Sequence, residues 1–96
     1  MTLQQLRYVI QAADSRSMNE AAKALYISQP SLSEAIKELE KEIGIELFKR
    51  SSHGTVLTPE GEEFLGYARQ VTDQYQLLEN RYIYRTKGKK KFSVSM

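Results

Sequence analysis

The chain contains no cysteine, which excludes disulfides, thiolate metal sites and cysteine nucleophiles together. Its one histidine, His53, sits among turn-forming residues, and no glycine-rich phosphate loop follows a strand-like run. Glu38, Glu42 and Glu46 recur every four residues, but with Lys37 and Lys41 beside them they read as a solvated helix face rather than an acid–base or metal cluster. Catalytic residues and metal ligands are therefore not expected. Apolar runs are too short to cross a bilayer, and the N-terminal stretch does not resemble a signal peptide. Those absences point to a cytoplasmic protein without a membrane partner.

With 96 residues the chain suffices for one small domain, and so small a core gains from oligomerisation or a partner. The formal net charge is +2, a weak hint of nucleic acid. Over residues 1–58 acids and bases balance, and the surplus comes mainly from the run Lys87-Gly88-Lys89-Lys90-Lys91. Where the charges sit must matter more than how many there are.

Helical periodicity is the main signal in the first half. Leu3, Leu6, Val9, Ile10 and Ala13 outline an amphipathic helix over residues 2–14. Ser17 and Glu20 fit a capping box opening a short second helix, in which Ala21-Ala22 lets another helix approach closely. Tyr26-Ile27-Ser28 ends it. Ser28 or Gln29 can cap a third helix with Pro30 in its first turn, where a missing N–H is harmless. Leu32, Ile36, Leu39 and Ile43 form the inner face of that helix, and Gly44 is a suitable left-handed stop. Leu47-Phe48 and Val56-Leu57 flank Ser51-Ser52-His53-Gly54, the pattern of a small hairpin.

Thr58-Pro59 opens a long fourth helix reaching about Tyr84, with Glu60, Glu62 and Glu63 near its positive end. Phe64, Ala68, Val71, Tyr75, Leu78 and Tyr82 are separated by alternating steps of four and three residues, the seam of a coiled coil between two copies. The other reading is a helix lying on its own domain, but the upstream helices look too short to cover it. Phe92-Ser93-Val94-Ser95-Met96 alternates like a single strand without a partner in the chain.

Two short helices, a tight turn and a third helix that starts with small polar groups make a helix-turn-helix, whose recognition helix meets base edges in the major groove. Gln29 can pair bidentately with adenine, Ser31 and Ser33 can bond bases or phosphates, and the Pro30 ring can touch a thymine methyl. Lys37 suits a phosphate, as do the free N–H groups at the helix start. Taken alone, Ser28-Gln29-Pro30-Ser31 is no more than a well-capped helix start.

Six blocks then keep both identity and spacing: Leu-Arg-Tyr-Val from Leu6, Asn-Glu-Ala-Ala-Lys-Ala-Leu from Asn19, Ile-Ser-Gln-Pro-Ser-Leu-Ser from Ile27, Ile-Lys-Glu-Leu-Glu from Ile36, Gly-Ile-Glu-Leu-Phe-Lys-Arg from Gly44 and Leu-Thr-Pro-Glu-Gly from Leu57. Together they resemble the N-terminal DNA-binding domain of LysR-type transcriptional regulators. The resemblance implies a mainly α winged helix-turn-helix, a three-helix core with a small β-hairpin wing, followed by a long dimerisation helix. It implies binding to double-stranded DNA at inverted-repeat promoter sites as a homodimer, with a tetramer open to the full-length protein. It also implies a C-terminal domain that senses a small-molecule effector, so no cofactor is expected in this part of the protein.

The domain organisation expected on that basis is a DNA-binding domain over 1–58, a linker and dimerisation helix over 59–85, and a hinge with the first strand of an effector-binding domain over 86–96. By the same resemblance Gln29, Pro30, Ser31 and Ser33 match major-groove and phosphate positions. Arg50 matches an arginine at the base of the wing, on phosphate or in the minor groove, and Lys49 lies beside it. Two positions depart from the family's pattern. Glu34 stands where a long basic or amide side chain is common; it could accept from a cytosine amino group but is repelled by phosphates. His53 stands at the wing tip in place of Arg or Lys, expected to enter the minor groove partly protonated. Both predict weaker non-specific binding and greater reliance on Lys37, Lys49, Arg50 and helix-end contacts. The competing reading is a winged-helix interaction and dimerisation module without DNA binding, supported by the balanced charge of residues 1–58.

Overall fold

The computed structural model describes residues 1–52 and 54–84. His53 lies outside the described residues, as do residues 85–96, where the sequence suggests a basic run and a single strand. The chain order is α1 (Leu3–Asp14), α2 (Met18–Leu25), α3 (Gln29–Ile43), β1 (Phe48–Ser51), β2 (Gly54–Leu57) and α4 (Pro59–Glu79), with a π-helical stretch Asn80–Tyr84 after it. This is the mainly α winged helix-turn-helix expected, with its two-stranded wing and long final helix.

Each helix starts where a side-chain oxygen can accept a free backbone N–H. Thr2 accepts from Gln5 N while the Gln5 side chain accepts from Thr2 N, a complete capping box. Ser17 accepts from Glu20 N at 3.2 Å, but the box expected there is half formed: no bond returns from the Glu20 carboxylate. Ser28, rather than Gln29, caps α3, accepting from Ser31 N at 3.2 Å. Thr58 caps α4, accepting from Gly61 N at 2.8 Å. Pro30 and Pro59 both sit in a first turn, where their missing N–H costs nothing. At the other ends, Gly44 takes the left-handed conformation at φ 78°, and so, unusually for a residue with a side chain, does Tyr26 at φ 61°.

The core is small. Val9 of α1, Ala21 and Ala22 of α2, and Leu32, Ile36 and Leu39 of α3 are buried together with Leu47. Leu32, Leu39, Leu47 and Val9 are fully enclosed, each contributing about 1.5–3 kcal/mol of apolar burial. The paired alanines, with their short side chains, let α2 settle closely against α1 and α3. Phe48 and Phe64 close the cluster from the wing and from α4. The strands pair antiparallel in the register Phe48–Leu57, Lys49–Val56, Arg50–Thr55 and Ser51–Gly54.

Thr58 locks the wing to α4. Its hydroxyl donates to the Glu46 carbonyl while accepting from Gly61, and its own N–H reaches the Leu47 carbonyl at 3.0 Å. Gly61 then passes so close that a Cβ there would lie 2.2 Å from the Leu47 oxygen. From this fixed start α4 runs antiparallel along α1. Arg69 donates to Asp14 at 2.6 Å, and Arg7 lies over the Tyr75 ring at 5.5 Å. The hydrogen bond to Asp14 raises the pKa of the Arg69 guanidinium above its ordinary value. Both partners are about half exposed, and the pair is worth about 0.2–1 kcal/mol.

Candidate nucleic-acid interface

The residues singled out in the sequence fall into three groups. Along α3, the inner face is spent on the core, so Pro30, Ser33, Glu34, Lys37, Glu38 and Lys41 share the outward face. Ser31 is exposed in the first turn, where its hydroxyl accepts from the Ser28 hydroxyl at 2.9 Å. Gln29 is half-buried beside the helix start. Its amide nitrogen donates to the Ser33 hydroxyl at 2.8 Å, which fixes the amide plane and leaves a second N–H and the carbonyl oxygen available.

The second group is on the wing. Lys49 and Arg50 are exposed on β1, opposite Val56 and Thr55 of β2. The wing curls toward α3, and a concave surface results between them. Ser17, Asn19, Gln29, Ser33, Lys37 and Arg50 line it, with Lys49 and Thr55 at the wing side. Glu40 is the one carboxylate among its described lining residues, and it is engaged: it accepts Leu47 N–H at 2.7 Å and Phe48 N–H at 3.2 Å. The local surface is therefore cationic although residues 1–58 carry no net charge.

Ser17, Asn19 and Thr55 had not been expected at this surface. Ser17 and Asn19 stand at the start of α2, whose free N–H groups add positive potential. Ser17, as an N-cap serine, marks that helix start in the sequence.

The third group, the six-residue seam on α4, is divided by the fold. Ala68 is 3% exposed and Phe64 packs on the hydrophobic core, so both are used inside the chain. Val71, Tyr75, Leu78 and Tyr82 are exposed, at 49%, 39%, 55% and 60%. An unbroken seam from Phe64 to Tyr82 is thus not available to a second copy. The first turns of α4 lie on Leu47 and α1, and most of the apolar side chains that the helix presents outward lie beyond Ala68. Tyr67, Leu77 and Ile83 extend that exposed apolar surface. Among the described residues no helix is long and apolar enough to cross a membrane, and no metal-ligand cluster occurs.

A family model for bacterial regulatory helix-turn-helix proteins of the lysR family matches residues 3–62. The chain belongs to that family. The lysR-family chain is thereby one of regulators rather than enzymes. It is 52% identical to the HTH-type transcriptional regulator BudR of Klebsiella aerogenes over 64 residues, covering 67% of the chain and 45% of BudR. It is 43% identical to the HTH-type transcriptional regulator YxjO of Bacillus subtilis (strain 168) over 76 residues, 79% of the chain. The chain spans 26% of the length of YxjO.

Two solved structures are similar to this lysR-family fold across most of its length. The BenM_DBD/catB site 1 DNA complex matches with a TM-score of 0.83 at 36% identity, covering 90% of this chain and 94% of that one. The CbnR_DBD–DNA complex matches with a TM-score of 0.79 at 36% identity, covering 84% and 93%.

Proposed function

We propose that this chain binds double-stranded DNA sequence-specifically, as the DNA-binding part of a transcriptional regulator. The observation that carries the reading is the concave surface between α3 and the wing, where Lys37, Lys49 and Arg50 gather and the one lining carboxylate is turned inward by two backbone N–H groups. With α3 in the major groove, its first turns bring Pro30, Ser31, Ser33 and Glu34 to the base edges, and Gln29 beside them. Lys37, Lys49 and Arg50 then meet phosphates, and the start of α2 faces a phosphate with its free N–H groups. From the sequence alone, His53 is assigned a contact in the minor groove. The BenM and CbnR relatives were solved as DNA complexes, which supports the same mode for a chain of this fold.

A dimer follows from α4. Val71, Tyr75, Leu78 and Tyr82 would pack on the same residues of a second copy, and two DNA modules so joined bind an inverted repeat with the avidity of effective concentration. On this reading residues 1–58 hold DNA, residues 59–85 join two copies, and residues 86–96 lead toward an effector-binding domain. That domain would bring the small-molecule effector and any tetramer contacts, in the cytoplasm of a bacterium.

Filter binding of the chain to duplex DNA across a salt series tests the reading. The logarithm of the binding constant should fall linearly with the logarithm of salt, losing about 0.9 per phosphate contacted. No retention of duplex DNA even at low salt would instead favour an interaction and dimerisation module.

A further inference from the structure

Glu34 holds an exposed place on the outward face of α3, six residues beyond the Ser28 cap. Pro30 precedes it by one turn and Glu38 follows by one, with Ser33, Lys37 and Lys41 alongside. No hydrogen bond or ion pair reaches the Glu34 carboxylate among the described residues. Its neighbours in sequence differ: Glu40 is held by Leu47 and Phe48, and Glu42 by the Met1 ammonium at 2.6 Å. Glu34 is thus an unengaged anion at the level of the helix that meets base edges.

An ionised carboxylate only accepts hydrogen bonds. In the major groove, guanine offers it two acceptors and thymine an acceptor and a methyl, so both leave the desolvated anion without a donor. Adenine offers its amino group beside the N7 acceptor, which repels the second carboxylate oxygen. Cytosine offers its amino group beside an apolar C–H edge, with no acceptor flanking it on that base. Gln29, by contrast, carries both a donor and an acceptor in an amide plane fixed by Ser33, which suits adenine.

Resting on the DNA-binding reading, we infer that Glu34 is a specificity-determining residue that requires a cytosine amino group in each half-site. Because the carboxylate is repelled by phosphates, it lowers affinity for every other sequence and so widens the gap between specific and non-specific sites.

Selection from a random duplex pool with the 96-residue chain and with Glu34→Gln and Glu34→Ala tests the assignment. Glu34 is exposed, so neither substitution disturbs the core. The unaltered chain should enrich one position for cytosine, Glu34→Gln should shift that position to adenine, and Glu34→Ala should enrich no base there. On the selected site, replacing that cytosine by thymine should weaken the unaltered chain at least about tenfold and Glu34→Ala less than about threefold. If all three proteins select the same base at every position, or if Glu34→Ala binds all sequences uniformly more tightly with its preferences unchanged, the cytosine assignment is wrong while DNA binding stands. If the unaltered chain retains no duplex at low salt, the DNA-binding reading fails and this assignment with it.

Discussion

The Glu40 carboxylate, in the last turns of α3, accepts the backbone N–H groups of both Leu47 and Phe48, at 2.7 and 3.2 Å. One side chain thereby ties the proposed recognition helix to the strand that carries Lys49 and Arg50. Replacing Glu40 by Ala leaves two half-buried N–H groups without an acceptor, at a cost of about 1–3 kcal/mol. Urea unfolding should show that loss, with a smaller one for Glu40→Gln, which keeps an acceptor. DNA affinity should fall further than stability, because the wing cations lose their placement. A wild-type midpoint for Glu40→Ala would show that the tie contributes nothing.

Gly61 is where α4 touches the chain's own backbone. A Cβ there would meet the Leu47 oxygen at 2.2 Å and Leu57 Cδ2 at 3.0 Å. Leu47 is also held by Thr58 and Glu40, so it cannot retreat without breaking those bonds. Gly61→Ala should destabilise by about 2–3 kcal/mol. Gly66→Ala, with nothing within 4 Å of its Cβ, should instead stabilise by about 0.5–1 kcal/mol through helix propensity. Equal effects in the two variants would contradict the close approach.

Tyr26 ends α2 in the left-handed conformation while 93% exposed, so its side chain brings no packing to offset the backbone cost. Tyr26→Gly should therefore raise the stability of the isolated protein by about 0.5–1 kcal/mol. A lower melting temperature in a thermal scan would mean that the ring makes a stabilising contact after all.

Val71 and Leu78 have no role in the chain's own core. Changing both to Lys should leave the circular dichroism of the folded protein intact while sedimentation reports a monomer. Affinity for an inverted repeat should drop at least about a hundredfold, with binding to a single half-site little changed. A dimer that persists in the double variant would place the contact elsewhere.

Much of this protein was legible in the sequence because its signals are local. Caps at Ser17, Ser28 and Thr58, prolines in two first turns, the left-handed Gly44 and the apolar spacing of Leu32, Ile36 and Leu39 each act within a few residues. They set the elements and their order, and the six spaced blocks set the family. The seam on α4 was read less well. A 3.5-residue step describes which residues share a stripe, not what covers it, and whether Phe64 and Ala68 meet a second copy or their own core depends on the path of α4. Gly61 against Leu47 and the packing of Phe64 on the core decide that path, and both contacts join residues well separated in sequence. The same holds for charge. Composition records seven acids' worth of balance over residues 1–58 only as neutrality, and the tertiary structure makes it a cationic concavity by turning Glu40 inward, because buried N–H groups of the wing need an acceptor more than the surface needs an anion.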